Sequence, residues 1–352
     1  MLIFVARRLL WAILLVFIVT LIVFVMFFVL PGNSKNAQRN EQGFAPGLQT
    51  QFNIRGSFGE QYGRFVSHVF LHADLGNSIR SRDAVTDVIR RTLPVTASLV
   101  LGGAVMFLLI AVPIGVISAL RPRSLLDRGL MLFVLAGASA HSVWLGLVFS
   151  YVFGVKLHWF PVGGYCDLRY EPSSTNLCGG PRYWAHHMFL PWLTFAFLFA
   201  ALYARMIRAS LLEAMDEDYV RTARAKGAGT FRVMRVHVFR NASLPVITMI
   251  GMDVGVAFAG ALFIETVFEL PGMGRLLVRS LANGDLPMIM GVVIVVSLAV
   301  VVANLIVDLL YAVVDPTIRS RTKGDAIVVS RAAGRELRAA QPAPAAESAT
   351  SP

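Results

Sequence analysis

Three acidic residues interrupt the long apolar runs of this 352-residue sequence: Asp253, Glu265 and Asp308. An ionised side chain at membrane depth is costly, so such residues face protein or water rather than lipid. Asn304 lies one helical turn before Asp308 and would share its face. Two interpretations stay open for these carboxylates: a place on a polar path through the protein, for which Asp253 and Glu265 are the candidates, or packing between helices.

The cysteine and histidine residues form no pattern typical of a metal centre. Cys166 and Cys178 lie in one polar loop. We expect a disulfide between them if that loop faces an oxidising compartment, and two free thiols otherwise. His68 and His72 are four residues apart, but no third ligand accompanies them. His141 is the single candidate base within the apolar runs, and packing or a hydrogen bond is its favoured role.

No phosphate-binding loop of the Walker type occurs in the sequence, so the chain is not expected to hydrolyse ATP itself. The glycine-rich residues 271–274 lie in a predicted loop, residues 269–285, and follow no strand. They therefore fit no dinucleotide-binding fingerprint. We expect no catalytic residue, no bound metal and no cofactor.

Composition places the chain in a membrane. Hydrophobic residues make up 56% of the sequence and charged residues 15%, with a mean hydropathy of +0.65. An ordinary soluble domain carries about 25% charged residues. The net charge of +11 is divided among short loops that flank apolar runs. That distribution favours anionic lipid headgroups and acidic partner surfaces, and it argues against a nucleic-acid interface.

Six apolar segments predict an all-α, polytopic membrane protein with six transmembrane helices. The first has 22 residues, about 33 Å of helix against a hydrocarbon core of about 30 Å. The predicted spans are residues 9–30, 94–120, 129–153, 188–204, 244–268 and 286–314. Between the first two, residues 58–75 carry an apolar stripe at helical spacing. We expect that stripe to lie on the outer membrane face or on a partner subunit.

This pattern divides the chain into four regions. They are the N-terminus with the first span (1–30), an extracytoplasmic segment with amphipathic helices (31–93), a five-helix core (94–318) and a tail expected to be disordered (319–352). An even number of spans puts both termini on one side, which would hold 19 of the 32 Lys and Arg residues. By the positive-inside rule that side is the cytoplasm.

One strongly charged stretch, residues 213–245, lies between the fourth and fifth predicted spans. Apolar side chains recur in it at helical spacing, and basic side chains fill the positions between them. The pattern predicts two amphipathic helices at the membrane surface, broken near Gly227 and Gly229. Pro245 suits the first turn of a helix and is expected to open the fifth span. The alternative is a solvated basic loop that binds lipid headgroups.

Several motifs, in order, resemble the membrane subunit of ATP-binding-cassette (ABC) importers. DYVRTARAKG and RNASLPVI resemble the cytoplasmic loop of that family, and ETVFELPGMGRLLVRSLANGDLPMIMG and NLIVDLLYAVVDPTIR resemble its C-terminal part. More narrowly, the sequence resembles the dipeptide and oligopeptide branch, specifically its first, B-type permease, over roughly residues 1–320. Arg221, Thr222 and Ala223 stand where importers in general have Glu-Ala-Ala, a departure that suits this branch.

The resemblance implies a type I ABC importer permease fold and a mechanical role for the cytoplasmic loop, residues 211–243. A short helix, roughly residues 224–236, would dock into a groove on an ATPase subunit through an apolar plug and a charged rim. The residues implied in coupling to the ATPase are the plug Phe231, Val233 and Met234, the rim Arg221, Arg224, Lys226 and Arg232, and their neighbours Tyr219, Ala223 and Gly227.

The same resemblance implies the partners and the location. A second, homologous permease, two ATP-binding subunits and an extracytoplasmic substrate-binding protein would complete a heteromeric complex in the bacterial inner membrane, with both termini cytoplasmic. The implied substrate is a di- or oligopeptide, whose amino group Asp253 or Glu265 would meet. Nickel chelates, glutathione and oligosaccharides are the alternative substrates.

Two rival functions are less well supported by the sequence. A secondary transporter usually shows inverted repeats and interrupted helices at mid-membrane, and no internal repeat is visible here. An intramembrane enzyme needs a nucleophile and base, or metal ligands, at membrane depth, and the apolar runs offer only isolated polar residues.

Overall fold

The structure is a computed structural model that describes residues 2–29, 57–168 and 178–314. Its α-helices are, in chain order, α1 (Leu2–Phe24), α2 (Phe58–Leu71), α3 (Val85–Leu120), α4 (Leu125–Ser139), α5 (Ser142–Phe149), α6 (Gly180–Asp216), α7 (Asp218–Ala225), α8 (Thr230–Val233), α9 (Phe239–Val267), α10 (Met273–Asn283) and α11 (Leu286–Val314). Short π-helices follow α1 (Val25–Val29), α5 (Ser150–Lys156) and α8 (Met234–Val238). The predicted tail, residues 319–352, lies outside the described residues.

Within the described residues, four helices are long and apolar enough to cross a membrane: α1, α3, α6 and α11. Two further candidates are bent. One runs from α4 through α5 with a bend of 107°, and the other is α9, bent by 59° between Asp253 and Gly255. If each bent element crosses the membrane once, the described part of the chain holds the six predicted spans. It contains one isolated β-bridge, between Asn77 and Ala84, and no strand.

Several helix boundaries differ from the predicted ones. The second span begins at Val85 rather than at Pro94, which lies inside α3. The fourth span extends beyond residues 188–204 at both ends, and the predicted loop at residues 269–285 contains α10. Pro245 lies within α9 instead of opening it. The common reason is that hydropathy marks only the apolar middle of a helix, whereas packing on neighbouring helices stabilises polar ends and interior prolines.

The larger apolar core lies where α3, α6 and α9 pack together. Glycines let α3 approach α6 closely: a Cβ atom at Gly103 would lie 2.5 Å from the ring of Phe195, and one at Gly115 would lie 2.7 Å from Ile207. Small residues at helix contacts are the usual means of close packing in membranes. These contacts fix α6, which leads directly into the basic stretch.

A second core joins α1, α2, α10 and α11 to the start of α3. The apolar stripe of α2 packs on α1 of the same chain, where Phe24 is fully buried and contacts the rings of Phe58, Tyr62 and Phe65. The hydroxyl groups of Thr20 and Tyr62 lie 2.9 Å apart in this contact. The expectation that this stripe lies on the outer membrane face or on a partner subunit is therefore wrong for its buried members Tyr62, Phe65 and Val69, whereas Phe58 and Phe70 stay 51% and 43% exposed.

Candidate functional site

The basic stretch begins where α6 ends. Glu217 is extended (φ −67°, ψ 147°) and turns the chain into α7. The inner face of α7 is fixed by Val220, which is fully buried, and by Ala223, which packs partly buried against the larger core. Asp218 occupies the first turn, where a carboxylate complements the helix dipole. The outer face of α7 therefore remains exposed on a firmly seated helix.

Residues 226–229 form the turn between α7 and α8. Gly227 has φ +82°, in the left-handed region that favours glycine. The turn closes α7 through hydrogen bonds from Gly227 N to Arg224 O (2.9 Å) and from Ala228 N to Ala223 O (3.1 Å). This is the arrangement of a helix C-terminal cap with glycine after the last turn. The predicted break near Gly227 is confirmed, so residues 224–236 do not form one continuous helix.

The three predicted plug residues do not share one surface. Phe231 is 77% exposed, whereas Val233 is 1% exposed and belongs to the larger core. Met234 is half-buried against the same core. The expectation of a three-residue plug is therefore wrong: Phe231 projects outward, and Val233 holds the segment down. Val236 is also exposed, and the apolar spacing alone gave no sign of which residues would face outward.

Tyr219 ties the segment to both flanking helices. Its hydroxyl group donates to the carbonyl of Ala214 at the end of α6 (3.4 Å) and accepts from Asn241 Nδ2 on α9 (3.0 Å). α7 is thereby linked to the helix before it and to the helix after the turn. A force applied to α7 would reach α6 and α9 together.

The predicted rim residues are all exposed, and they are Arg221, Arg224, Lys226 and Arg232. Arg221 lies 3.8 Å from Asp218, in an ion pair whose side chains are 72% and 98% exposed. Solvated pairs of this kind are weak. The rim therefore presents a basic surface around Phe231.

We name residues 218–236, which comprise α7, the turn and the chain around Phe231, the coupling segment, after the role that the sequence resemblance implies for them. Its backbone is set by one left-handed glycine, and its inner side is set by buried valines. Its outer side carries an exposed aromatic ring among basic side chains. Such a surface suits an apolar pocket with an acidic rim.

Glu265 lies wholly buried at the end of α9. One carboxylate oxygen accepts from Thr96 Oγ1 (2.6 Å), and the other accepts from the backbone N–H groups of Gly274 (2.7 Å) and Arg275 (3.1 Å). The carboxylate thus binds the N-terminus of α10 and joins it to α3 and α9. This geometry favours the packing interpretation of Glu265, because its oxygens already have partners.

Asp253 has a more open environment. It lies at the bend of α9, is half-buried, and accepts a hydrogen bond from the hydroxyl group of Tyr203 on α6 (2.9 Å). Tyr203 is buried, and its ring contacts that of Phe107 at a tilt of 46° with the ring centroids 4.7 Å apart. Ile207 and Ile250, one turn away on α6 and α9, line an apolar groove. Asp253 therefore lies next to a groove between α3, α6 and α9.

The third intramembrane carboxylate joins the first and last spans. Asp308 Oδ2 lies 2.8 Å from Arg8 Nη1 across the contact between α1 and α11. Asn304, on the same face of α11, has a buried Oδ1 atom without a hydrogen-bond partner among the described residues. Asp308 therefore fits the packing interpretation.

The cysteine and histidine residues considered in the sequence analysis have structural contacts. Cys166 and Cys178 are joined by a disulfide, which closes the loop before α6. His141 caps α5, because its Nδ1 accepts from Val143 N (3.3 Å). His68 and His72 have their rings 5.7 Å apart. Within the described ranges, no three His, Cys, Asp or Glu side chains lie close enough together to hold a metal ion.

A bundle of membrane-length helices with an exposed, firmly seated basic segment between its fourth and fifth spans defines the membrane-spanning subunit of a transporter. The chain belongs to the family of binding-protein-dependent transport system inner membrane components, whose model matches residues 111–320. The model of the corresponding N-terminal region matches residues 1–100. The family is the permease component of ABC importers, so the predicted family and the all-α, type I permease fold are confirmed.

Curated relatives align with most of the chain. The di/tripeptide transport system permease protein DppB of Pseudomonas aeruginosa is 34% identical over 334 residues, which is 91% of this chain and 99% of the relative. The dipeptide transport system permease protein DppB of Escherichia coli K12 is 34% identical over 323 residues, which is 86% of this chain and 94% of the relative. A putative peptide permease protein of Brucella suis is 36% identical over 306 residues, which is 85% of this chain and 93% of the relative.

The network around Glu265 generates a stability prediction. Glu265→Gln replaces the acceptor of two backbone N–H groups by a neutral amide in a buried site, so we expect a loss of about 1–3 kcal/mol of stability. The measurement is the midpoint of thermal unfolding in detergent. Glu269→Gln is the matched control, because the Glu269 side chain is 70% exposed. Equal midpoints for the two variants would contradict the anchoring role of Glu265.

Proposed function

We propose that the chain is one of the two permease subunits of an importer for di- or oligopeptides. ATP-binding subunits would bind the coupling segment and drive the movement of the permease. Family membership supports the importer class, and the names of the aligned relatives support a peptide substrate. Nickel chelates, glutathione or oligosaccharides remain the alternative substrates for the same architecture. A secondary transporter is disfavoured, because the family works with separate binding proteins.

The exposed ring of Phe231 is the observation that carries the coupling role. A phenylalanine that is 77% exposed loses the favourable burial of a large apolar side chain unless a partner covers it. The backbone beneath it is held by Val220 and Val233, so the ring is presented on a fixed support. The basic rim would match acidic side chains around the partner pocket.

The composition of the complex follows from this arrangement. The sequence contains no Walker-type loop, so ATP hydrolysis belongs to two partner subunits. A second, homologous permease would supply the other half of the pathway, and an extracytoplasmic binding protein would deliver the substrate. Anionic lipid would surround the basic loops.

The orientation proposed is that of the positive-inside rule in the bacterial inner membrane. The coupling segment and both termini would then lie in the cytoplasm. The loop closed by Cys166 and Cys178 would lie outside, where an oxidising compartment supports its disulfide.

Replacing the exposed ring tests the docking role. We expect Phe231→Asp to lower co-purification of the ATP-binding subunits roughly 30-fold, the effect of removing about 2 kcal/mol at an interface centre. The measurement is the ratio of ATPase to permease after affinity purification, together with peptide uptake in vesicles.

The matched control is Leu71→Asp on α2, because Leu71 is 79% exposed and lies outside the coupling segment. It should leave co-purification unchanged. Normal co-purification and uptake in the Phe231→Asp complex would refute the docking assignment.

The turn offers a second test, which depends on backbone conformation alone. A Cβ atom at Gly227 or at Gly229 would meet nothing within 4 Å, but only Gly227 has a left-handed φ, of +82°. We expect Gly227→Ala to cost about 1 kcal/mol at the turn and to lower coupled transport, whereas Gly229→Ala stays near wild type. Transport and ATPase activity of the two complexes should be measured in parallel. Equal values would show that the turn geometry is not needed.

Of the two predicted substrate-path residues, we propose Asp253 for contact with the substrate. Its carboxylate is half-buried at the bend of α9, beside an apolar groove. A peptide presents both a cationic amino group and apolar side chains, which match the carboxylate and the groove. The oxygens of Glu265 are bonded to α3 and α10, so Glu265 is the weaker candidate.

Two variants separate a substrate contact from a structural one. Tyr203→Phe removes the hydrogen bond to Asp253 but leaves its carboxylate, whereas Asp253→Asn removes the charge. We expect peptide transport to fall at least tenfold in Asp253→Asn, equivalent to about 1.4 kcal/mol, and to be largely kept in Tyr203→Phe. Uptake is measured at equal expression and equal ATPase binding. Full transport by Asp253→Asn would exclude a required role for the carboxylate.

A further inference from the structure

An ion pair with a buried carboxylate and a partly exposed guanidinium group lies at the same end of α6 as the coupling segment. Asp127 is 5% exposed, and its carboxylate accepts from four donors. Arg208 donates through Nε and Nη2, each at 2.9 Å, to the two carboxylate oxygens. Arg123 donates its backbone N–H at 2.9 Å, and the hydroxyl group of Ser118 supplies the fourth hydrogen bond. The carboxylate is therefore fully satisfied by groups from three separate places in the fold.

These donors join three helices at one point. Ser118 is in the last turn of α3, Asp127 is in the first turn of α4, and Arg208 is on α6. Ser124 caps α4 by accepting from Asp127 N (3.1 Å), so the short turn between α3 and α4 is part of the same network. The planar guanidinium group fixes both distance and orientation, which a single lysine contact would not.

The pair lies between the coupling segment and the bent helices. Arg208 is about 12 Å along α6 from its end at Asp216, after which α7 begins. On the other side, α4 leads through the 107° bend into α5. Gly146 of α5 lies against Val267 and Phe268 at the far end of α9. The ion pair thus connects the helix that carries the coupling segment to an element that reaches the opposite end of the bundle.

An ion pair of this kind is weak evidence for a role in stability alone. A buried ion pair loses hydration energy that its attraction only partly returns, and apolar side chains of similar volume often hold helices together as well. What a bidentate pair adds is a fixed relative orientation of the two helices. A residue pair that transmits movement from one helix to another must hold the two helices in a fixed relative orientation.

We propose that Asp127 and Arg208 are positioning residues that transmit movement of the coupling segment through α6 to the bent pair α4–α5. This inference rests on the proposed coupling function. Without the ion pair, the ATP-binding subunits would still dock and hydrolyse ATP, but α4 would no longer follow α6. The predicted signature is therefore uncoupling, which is ATP hydrolysis without matching transport.

The test uses the complete complex in proteoliposomes and measures substrate transported per ATP hydrolysed. We expect Asp127→Asn, Arg208→Lys and Arg208→Gln each to lower this ratio roughly two- to thirtyfold, with normal co-purification of the ATP-binding subunits. Arg205→Gln is the control for Arg208→Gln, since Arg205 is exposed on the same helix and loses the same charge. The ratio should stay at the wild-type value in Arg205→Gln.

A double variant tests whether Asp127 and Arg208 act as one unit that connects α4 to α6, which we call the joint. Asp127→Asn with Arg208→Gln should be no worse than the more affected single variant, because the second change removes an interaction that is already lost. If the fold losses of the two single variants multiplied in the double variant, the two residues would act independently, and the proposal would be overturned. Unchanged transport per ATP in the single variants, even with a lower thermal unfolding midpoint, would also overturn it and leave a purely structural pair.

Failure of this proposal and failure of the docking proposal would give different experimental results. If Phe231→Asp keeps the ATP-binding subunits bound while Asp127→Asn uncouples them, the docking assignment is wrong and the joint stands. If Phe231→Asp releases the subunits and Asp127→Asn leaves the transport ratio intact, docking stands and the joint is wrong.

Discussion

The cost of leaving a charge unpaired in a low-dielectric interior governs this structure. A carboxylate taken from water into an apolar region must be paired or hydrogen-bonded, or it destabilises the fold. Asp127, Glu265 and Asp308 each meet that demand by bonding to a different helix or helix end. The acidic residues that lower the hydropathy of the apolar runs are therefore the points at which neighbouring helices are joined.

These joints explain how a mostly apolar bundle can hold one exposed segment in a defined position. Glu265 fixes α10 at one end of α9, while Asp127 fixes α4 on α6. The coupling segment lies at the same end of α6 as Asp127 and at the opposite end of α9 from Glu265, where Tyr219 and Val233 seat it. The coupling segment is thus supported by α6 and by the bent helix α9, and a push on it would move these helices instead of deforming a loose loop.

Much of this could be predicted from the sequence, and the failures have a common cause. Hydropathy predicted six spans, which the described residues form as four membrane-length helices and two bent elements, and the charge pattern predicted the break of the basic stretch at Gly227. The pattern could not tell that Val233 points inward while Phe231 points outward, because both fit an apolar helical face. Nor could it place the interior Pro245 or the ion pair of Asp127 with Arg208, whose residues lie 81 positions apart. Only tertiary contacts decide these features.

The contrast between Glu265 and Asp253 separates fixed parts of the bundle from parts able to meet a solute. Glu265 is wholly buried and holds three donors, so a passing cation would have to displace hydrogen bonds that secure α10. Asp253 is half-buried, lies at a bend and receives one hydrogen bond from Tyr203 within the described residues. A transport path must bind its cargo and release it, which favours a carboxylate with unused acceptor capacity over one that is saturated. On that ground the two acidic residues of α9, which look alike in the sequence, differ: Glu265 joins α10 to α3 and α9, whereas the position of Asp253 fits the substrate contact that we propose for it.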